Sequence, residues 1–325
     1  MRKFYNIPEN QLIGEGIDSN LYNTYFYVED ISGRDNEVII CKIPKEKIGG
    51  HSQYNIILEY SYDSINWIKL PLIDLNGVSI KIQPHGLIYL RGNNNSLSGN
   101  NLSCKNEFNI GGNILSLLYG YNFYKKTEVP NLAETFFGFF SGDLIIDTNY
   151  NPLVSVKKLL LPTLNPTYQS YDWMFRNTTC VDLPIITALQ SSGFLFSYTF
   201  GNTFITSVNN PFNFNYVSGG CFNGTFSGCK QLKNVDLSNI KDYYSHSYTF
   251  LNLFSTCTSL NFLKIGLMEY DGVSFTNWLR NVSPTGTFLL PVGSSFADNA
   301  PRNGSGIPEG WEIKYFNPET DEIIN

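Results

Sequence analysis

The second half of this chain contains one twelve-residue pattern twice. Residues 226–237 read FSGCKQLKNVDL, and residues 254–265 read FSTCTSLNFLKI, 28 positions later. In both copies Phe, Cys and Leu recur at every third position and alternating apolar residues follow, which we interpret as a helical turn leading into a short strand. A repeat of this length buries its apolar side only against neighbouring copies, so the pattern predicts a solenoid.

Weaker copies extend the repeat in both directions. Phe200 and Phe175 precede Phe226 at similar spacing, and we expect about six coils in a right-handed array. Phe226 should stack on Phe254, and Leu237 on Ile265. The predicted repeat core is Phe175, Phe200, Phe226, Cys229, Leu232, Leu237, Phe254, Cys257, Leu260 and Ile265. Parallel strands are predicted at residues 159–161, 181–183, 204–208, 235–237, 262–265 and 286–290.

The first third of the chain shows a different pattern. Between residues 54 and 90, short runs of alternating apolar residues are separated by turn sequences such as DLNG at 74–77, which is typical of an antiparallel β-sandwich. The predicted fold class is therefore mixed: an N-terminal antiparallel β-sandwich, a leucine-rich-repeat solenoid with short parallel strands, and a C-terminal cap. The expected boundaries are 1–45 for an N-terminal β segment that attaches to a partner, 46–104 for the sandwich, 105–295 for the solenoid and 296–325 for the cap. Whether residues 1–45 belong to the sandwich stays open.

Charge and apolar content argue against several classes of protein. The net charge is −6 and the 22 Lys and Arg residues are scattered, so we expect no nucleic-acid partner. No apolar run is long enough for a membrane span. The N-terminal sequence MRKFYNIPEN lacks the apolar segment of a secretory signal, so we expect synthesis in a reducing cytoplasm. The six cysteines are then expected to be core residues rather than disulfides or metal ligands.

Motifs of catalysis are not recognisable in this sequence. His51, His85 and His246 are the three histidines, and none lies in a Gly-x-Ser-x-Gly or His-Glu-x-x-His setting. Asp172 and Asp236 would be the first candidates for the paired carboxylates of a glycosidase. We therefore predict no enzymatic activity, no cofactor and no metal.

Aromatic residues beside Asn, Asp and His precede three of the coils. Such rings suit sugar binding, but they also suit protein interfaces and packing between coils, and the sequence leaves these three interpretations open. The candidate ligand-contact residues are Tyr171, Trp173, Phe214, Tyr216, Tyr243, Tyr244 and His246.

The repeat FSGCKQLKNVDLS at 226–238 resembles the leucine-rich repeat of the BspA type, which occurs in surface adhesins of Bacteroidales and in their phages. Two departures accompany the resemblance, which covers roughly residues 55–315. The coils around Phe175 and Phe200 lack the Cys-Thr-Ser-Leu signature, and an export signal is missing. Further similar segments are LEYSYD at 58–63, IYLRGN at 88–93 and GNILSLLYG at 112–120, which resemble the β-domain and junction before such repeats, and NWLRNVSPTGTF at 277–288 with GIPEGW at 306–311, which resemble their terminal cap.

The missing export signal makes the chain look more like a virion component of a Bacteroides phage, of the crAss-like group, than a cell-surface adhesin. The resemblance implies a structural head or tail protein, such as a fibre or decoration protein, located in the virion. Its N-terminal part would bind other virion proteins, the chain would form a homo-oligomer, and the repeats would contact a host surface glycan or receptor. The alternatives are a cell-associated BspA-like adhesin or interaction module, and a polysaccharide depolymerase.

The repeat pattern generates a stability prediction. Leu260→Asp places an unpaired charge between coils, and we expect a loss of roughly 3–5 kcal/mol in the free energy of unfolding. Because each coil depends on its neighbours, hydrogen exchange should increase over several coils rather than one. Increased exchange in a single coil would show instead that the coils are independent.

Overall fold

The computed structural model describes residues 19–130, 132–144, 150–162, 164–188, 190–214 and 216–324. This part of the chain is mostly β, with strands in three sheets and only short helices. The α-helices are α1 (Ser116–Tyr119) and α2 (Phe296–Asn299), and 3-10 helices span Ser19–Asn23, Lys45–Lys47, Gly120–Lys125 and Gly142–Leu144. The strands are β1 (Phe26–Asp30), β2 (Asn36–Lys42), β3 (Leu58–Ser61), β4 (Ile68–Lys69), β5 (Val78–Ile82), β6 (Leu87–Gly92), β7 (Asn100–Cys104), β8 (Phe108–Asn113), β9 (Leu153–Leu161), β10 (Ile185–Ile186), β11 (Ser207–Asn209), β12 (Asn234–Leu237), β13 (Phe262–Ile265), β14 (Thr285–Pro291), β15 (Gly310–Phe316) and β16 (Ile323–Ile324).

The N-terminal third forms two sheets around one buried cluster. β1 lies inside a seven-stranded sheet of order β10-β9-β8-β1-β6-β3-β4, and β2 is the middle strand of a three-stranded sheet of order β5-β2-β7. Both strands bury alternate residues, which places Phe26 and Val38 in the same cluster. Strands before residue 45 therefore lie inside both sheets, and β8 continues the first sheet beyond residue 104. Neither of the expected domain boundaries, after residue 45 and after residue 104, coincides with a break in a sheet.

The coils continue from the seven-stranded sheet. β9 pairs in parallel with β8, and β10 pairs in parallel with β9. A six-stranded sheet follows, in which β11 to β15 are parallel neighbours and β16 is antiparallel at the edge. The result is a β-solenoid-like stack over residues 160–316. The strands of this sheet pair in register. One line of paired residues crosses all five parallel strands and consists of Val208, Val235, Leu263, Phe288 and Ile313.

Most of the expected strand positions are present. Residues 159–161, 235–237, 262–265 and 286–290 lie within β9, β12, β13 and β14, and residues 204–208 overlap β11. The region expected to be a cap, residues 296–325, adds a further parallel strand to the same sheet. β15 pairs with β14 over the whole length of both strands.

One expected strand is displaced along the chain. Residues 181–183 are not a strand, and the strand of that coil is β10 at Ile185–Ile186. The carboxylate of Asp182 accepts a hydrogen bond from the backbone N–H of Val156 at 2.7 Å. This side-chain oxygen takes the place of the backbone carbonyl that would accept the same bond in a regular strand pair. Pro184 follows and has no N–H to donate.

The side of each coil opposite the strands is a series of turns, so the expected helical turn is wrong. Residues with positive φ recur at every fourth position, as at Phe194, Tyr198 and Asn202, which an α-helix does not allow. Bonds within a coil alternate with bonds to the next coil: the N–H of Thr199 donates to Phe196 O, and that of Phe200 donates to Thr225 O. We call this arrangement the turn ladder; it comprises residues 134–142, 169–177, 194–202, 220–228, 248–256 and 273–281.

Two rows of stacked aromatic rings fill the interior between the strands and the turn ladder. Neighbouring rings in each row have centroids 4.7–6.0 Å apart, and Phe226 stacks on Phe254 at 5.8 Å, as the repeat spacing predicts. Leu237 is in register with Ile265, and all ten predicted core residues are buried. One row is Phe136, Tyr171, Phe196, Phe222, Phe250 and Phe275, and the other is Phe26, Phe140, Phe175, Phe200, Phe226 and Phe254.

Glycines in one coil make room for the side chains of the coil before it. Gly224 has φ +61°, and a Cβ there would lie 2.4 Å from the ring of Tyr198. Gly224→Ala should therefore lower the free energy of unfolding by roughly 1–3 kcal/mol, from backbone strain and displacement of the ring.

Denaturant unfolding measures this cost, and Gly272→Ala is the matched control. Gly272 has no atom within 4 Å of a built Cβ and no positive φ, so the change there should stay within about 0.5 kcal/mol. Equal losses in the two variants would contradict the close contact between Tyr198 and Gly224.

Candidate functional site

The loops that lead from the strands into the turn ladder lie side by side at one edge of the array. The N–H of Tyr244 donates to Val217 O at 2.8 Å, and the N–H of Val217 donates to Asp242 O at 3.0 Å. The N–H of Ser218 donates to Oγ of Ser191 at 2.6 Å, which joins the next pair of loops. The backbones of these loops are therefore held together from coil to coil.

Three tyrosines on these loops, and Tyr248 at the first residue of a turn-ladder segment, are partly exposed to solvent. Tyr168, Tyr216, Tyr244 and Tyr248 are 48%, 45%, 58% and 53% exposed, and we call them the tyrosine edge. Partial desolvation raises the pKa of Tyr216, and the charge of Asp242 and the phenol of Tyr244 raise it further, because the two loops are close. The ring of Tyr168 also packs against Phe194 of the next coil, with centroids 5.9 Å apart.

Tyr171 and Phe214 were expected to contact a ligand, and for both the expectation is wrong. Tyr171 is fully buried in the row of rings that begins with Phe136; its ring centroid lies 5.8 Å from that of Phe136 and 5.5 Å from that of Phe196. Phe214 is buried and packs against Phe222 at 6.1 Å. A ring that is enclosed by other rings does not reach a ligand at the surface.

Trp173 and Tyr243 are half-buried and join neighbouring coils. The ring of Trp173 packs against Phe137 at 5.9 Å, and the guanidinium carbon of Arg176 lies 4.3 Å from its centroid. The ring of Tyr243 lies 5.4 Å from Phe275, and its hydroxyl donates to the carbonyl of Glu269 at 3.4 Å. Only part of each ring faces solvent.

His246 supplies a polar group beside the tyrosine edge. Its side chain is 74% exposed, and its Nδ1 lies 3.5 Å from Oδ1 of Asp271. Burial alone would raise the pKa of Asp271, but hydrogen bonds from Ser274, from the N–H of His246 and from Tyr243 lower it. The edge thus combines aromatic faces with a carboxylate and an imidazole, which suits a ligand that has both apolar and polar sides.

The two carboxylates considered for glycoside cleavage do not form a pair. Asp172 is in the turn ladder, whereas Asp236 is in β12, where its Oδ2 lies 3.5 Å from Nζ of Lys264. Across the described ranges, no cluster of three or more His, Cys, Asp or Glu side chains could hold a metal ion. The six cysteines are free thiols. Among the helices of the described residues, none is long and apolar enough to cross a membrane.

Asp172 instead occupies the junction between the N-terminal sheets and the first coils. It is 3% exposed, and its Oδ2 accepts a hydrogen bond from Nε2 of Gln169 at 3.2 Å. Burial raises the pKa of Asp172 to about 7; Glu134 adds to this effect, while Ser197, Gln169 and Arg176 oppose it. Glu134 itself lies 3.1 Å from Nδ1 of His51, across the same junction.

Comparison with protein-family models, with curated proteins and with solved structures finds no match for this chain.

The buried carboxyl of Asp172 predicts a pH dependence of stability. Its pKa is about 7 in the folded chain and about 3.9 when unfolded, so between these values the folded state binds more protons. The contribution of Asp172 to the free energy of unfolding therefore decreases as pH rises from about 4 to about 7. Asp172→Asn removes the charge, so it should stabilise the protein above pH 7, by up to about 1.4 kcal/mol per pKa unit.

Urea unfolding of parent and variant at mildly acidic and mildly alkaline pH measures this difference. Asp298→Asn, at an exposed position, is the control and should leave the pH profile of the parent unchanged. If Asp172→Asn and the parent show the same pH dependence, Asp172 is not a buried carboxyl in solution.

Proposed function

We propose that this chain is a structural and adhesive protein of a phage particle, with an N-terminal β-sandwich and leucine-rich repeats of the BspA type. The shared cluster around Phe26 and Val38 supports the sandwich, because it takes residues from both N-terminal sheets. The register of Leu237 with Ile265, and the cysteines at the same phase in adjacent coils, support the repeat type. The chain would be located in the virion as a fibre or decoration protein.

The observation that carries the functional proposal is the tyrosine edge. Its rings are exposed by about half, and the loops that bear them are tied together by backbone hydrogen bonds such as Tyr244 N–H to Val217 O. Loops whose backbone is already ordered lose less entropy when a ligand binds. Sugars have apolar faces that stack on such rings and hydroxyls that pair with groups such as Asp242 and His246. A host surface glycan is therefore the proposed ligand.

Attachment to the particle is assigned to the surface of the N-terminal sheets. A separable segment at residues 1–45 does not suit this role, because β1 and β2 are interior strands and their deletion would remove the partners of β6, β7 and β8. Residues 1–18 of that segment lie outside the described residues. In this arrangement the N-terminal sheets contact other virion proteins and the coils project towards the host.

The combined variant Tyr216→Ala, Tyr244→Ala and Tyr248→Ala tests the proposal. Losing three exposed rings should weaken binding of purified particles to host cells at least about tenfold, which corresponds to about 1.4 kcal/mol. The unfolding midpoint and the amount of the chain in particles, measured by mass spectrometry, should not change. Tyr121→Ala, at a 64% exposed ring outside the tyrosine edge, is the matched control and should bind as the parent does.

Other outcomes of this experiment separate the alternatives. Normal binding by the triple variant would remove the adhesive role of the tyrosine edge. Loss of incorporation would make the same surface a contact between virion chains. Absence of the parent chain from purified particles would favour the cell-associated adhesin, and release of reducing sugar from host polysaccharide would favour the depolymerase.

A further inference from the structure

The last segment of the turn ladder, residues 273–281, is followed by no other segment within the described chain. Between earlier segments, the N–H groups of alternate residues donate to carbonyls of the next segment. The N–H of Phe254 donates to Trp278 O at 2.8 Å, and the N–H of Thr256 donates to Arg280 O at 2.7 Å. The equivalent N–H groups of the last segment therefore point towards the place that a further segment would occupy.

Three backbone donors at this end of the ladder lack an acceptor. They are the N–H groups of Asn277, Leu279 and Asn281, and no atom of the residues that the structure describes accepts a hydrogen bond from them. Leu279 is only 1% exposed, and a buried donor without a partner is unfavourable. We call these three donors the open end; an incoming acceptor would satisfy them, as at the edge strand of a sheet.

A groove of about 380 Å³ lies at the open end, and this volume is within the range of known ligand sites. One wall belongs to the last ladder segment and the other to the loop between α2 and β15. That loop is ordered, because Asn303 Oδ1 accepts hydrogen bonds from the N–H groups of Ser305 at 2.9 Å and Gly306 at 2.8 Å. The lining combines apolar and polar groups and includes Leu279, Asn281, Pro284, Asn303, Gly304 and Pro308.

A second copy of this chain does not offer the acceptors that the open end needs. In the first ladder segment, Thr135 O accepts from Leu97 N–H and Phe139 O accepts from Leu102 N–H, both at 2.7 Å. Because the chain's own backbone uses these carbonyls, another copy cannot add its first segment to the open end. Two open ends cannot pair with each other either, since the unpaired groups at both are donors.

Phe296 limits which side chains a partner can bring to the open end. It is fully buried, and its ring centroid lies 5.0 Å from that of Phe275 and 5.7 Å from that of Trp278. A partner segment therefore cannot insert large rings into the interior, as the coils do. Small residues fit, and glycine also adopts the positive φ that recurs along the ladder, as in the segment 220–228.

We infer that the open end binds a glycine-rich segment of another polypeptide, whose main-chain carbonyls accept hydrogen bonds from the N–H groups of Asn277, Leu279 and Asn281. The bound segment would continue the ladder in the way that an added peptide continues a sheet. Carbonyls of a polypeptide segment are the acceptors of the equivalent donors in the preceding coil, which is the observation that identifies the partner. The inference does not depend on the glycan contact at the tyrosine edge.

Titration of the purified full chain with a defined peptide tests the inference. The probe has the sequence of residues 219–228 with alanine at positions 221, 222 and 226, which removes the large rings and the thiol. NMR of the chain with isotope-labelled leucine and asparagine reports on the three donors. Their amide resonances should shift as peptide is added, and their exchange with solvent should slow at least about tenfold.

Variants at two open glycines make the result specific. Gly304 lines the groove, and a Cβ built there meets no atom within 4 Å, so Gly304→Trp should fill the groove without unfolding the chain. This variant should raise the dissociation constant of the peptide at least about tenfold. Gly272→Trp is the matched control, because Gly272 is equally open but is not among the residues that line the groove; it should bind as the parent does.

The tyrosine triple variant should also bind the peptide as the parent does, so failure of this inference is distinguishable from failure of the proposed adhesion. Amide resonances that stay unchanged at every peptide concentration would overturn the inference, and so would equal binding of the peptide by Gly304→Trp. If host polysaccharide shifts these amides and the peptide does not, the groove belongs to a sugar. If only a higher concentration of the chain shifts them, the partner is a second copy, and either result overturns the inference.

Discussion

Main-chain hydrogen bonds join neighbouring coils on two sides, except that β10 and β11 belong to different sheets, and the rest of the array depends on these bonds. On one side the strands pair in parallel, as Val235 does with Leu263. On the other side the turn ladder connects the same coils, through bonds such as Phe226 N–H to Leu253 O at 3.0 Å. Since these bonds use backbone atoms, loop side chains can differ from coil to coil without loss of the stack. The variable loops at the tyrosine edge are compatible with a regular framework for this reason.

The interior between these two ladders is filled by aromatic rings rather than by leucines alone. Phe175, Phe200 and Phe226 stack with centroids 5.5–5.6 Å apart, and such pairs add about 0.5–1.5 kcal/mol each beyond burial of their area. Asp172 acts in the opposite direction, because a carboxyl group enclosed at the junction opposes folding whenever it is charged. The junction therefore has a stability that changes with pH.

Sequence patterns predicted the strand side of the coils well and the turn side poorly. Alternating apolar residues placed β12, β13 and β14, because a strand that buries one face repeats every second residue. The three-residue spacing of Phe226, Cys229 and Leu232 was interpreted as helical, although the backbone follows turns with positive φ. In one coil the residues with positive φ are glycines, at 220, 224 and 228, which suit this backbone conformation. In the preceding coil the same conformation is adopted by Phe194 and Tyr198, whose residue types do not predict it.

The candidate site was only partly predictable for a related reason. Tyr216, Tyr244 and His246 are exposed as expected, but Tyr171 and Phe214 are buried, although all five have polar neighbours in the sequence. A second row of rings explains Tyr171: aromatic residues four positions apart, as at 196 and 200 or 222 and 226, fill both rows. The displaced strand at Ile185–Ile186 depends on the side chain of Asp182, and no periodicity in apolar residues reveals such a contact.

The parallel pairing of β8 with β9 has a mechanical consequence. It makes the seven-stranded sheet and the first coils parts of one sheet, so backbone hydrogen bonds join β1 and β8 at the base directly to the first strands of the array. Two copies of the chain held side by side would present their outer edges at a set distance. A polymer with binding units at that spacing would engage both arrays at once, and the second contact would form at a high effective concentration. Weak binding at each edge would then add up to firm attachment, and a ligand with a single binding unit would gain nothing from it.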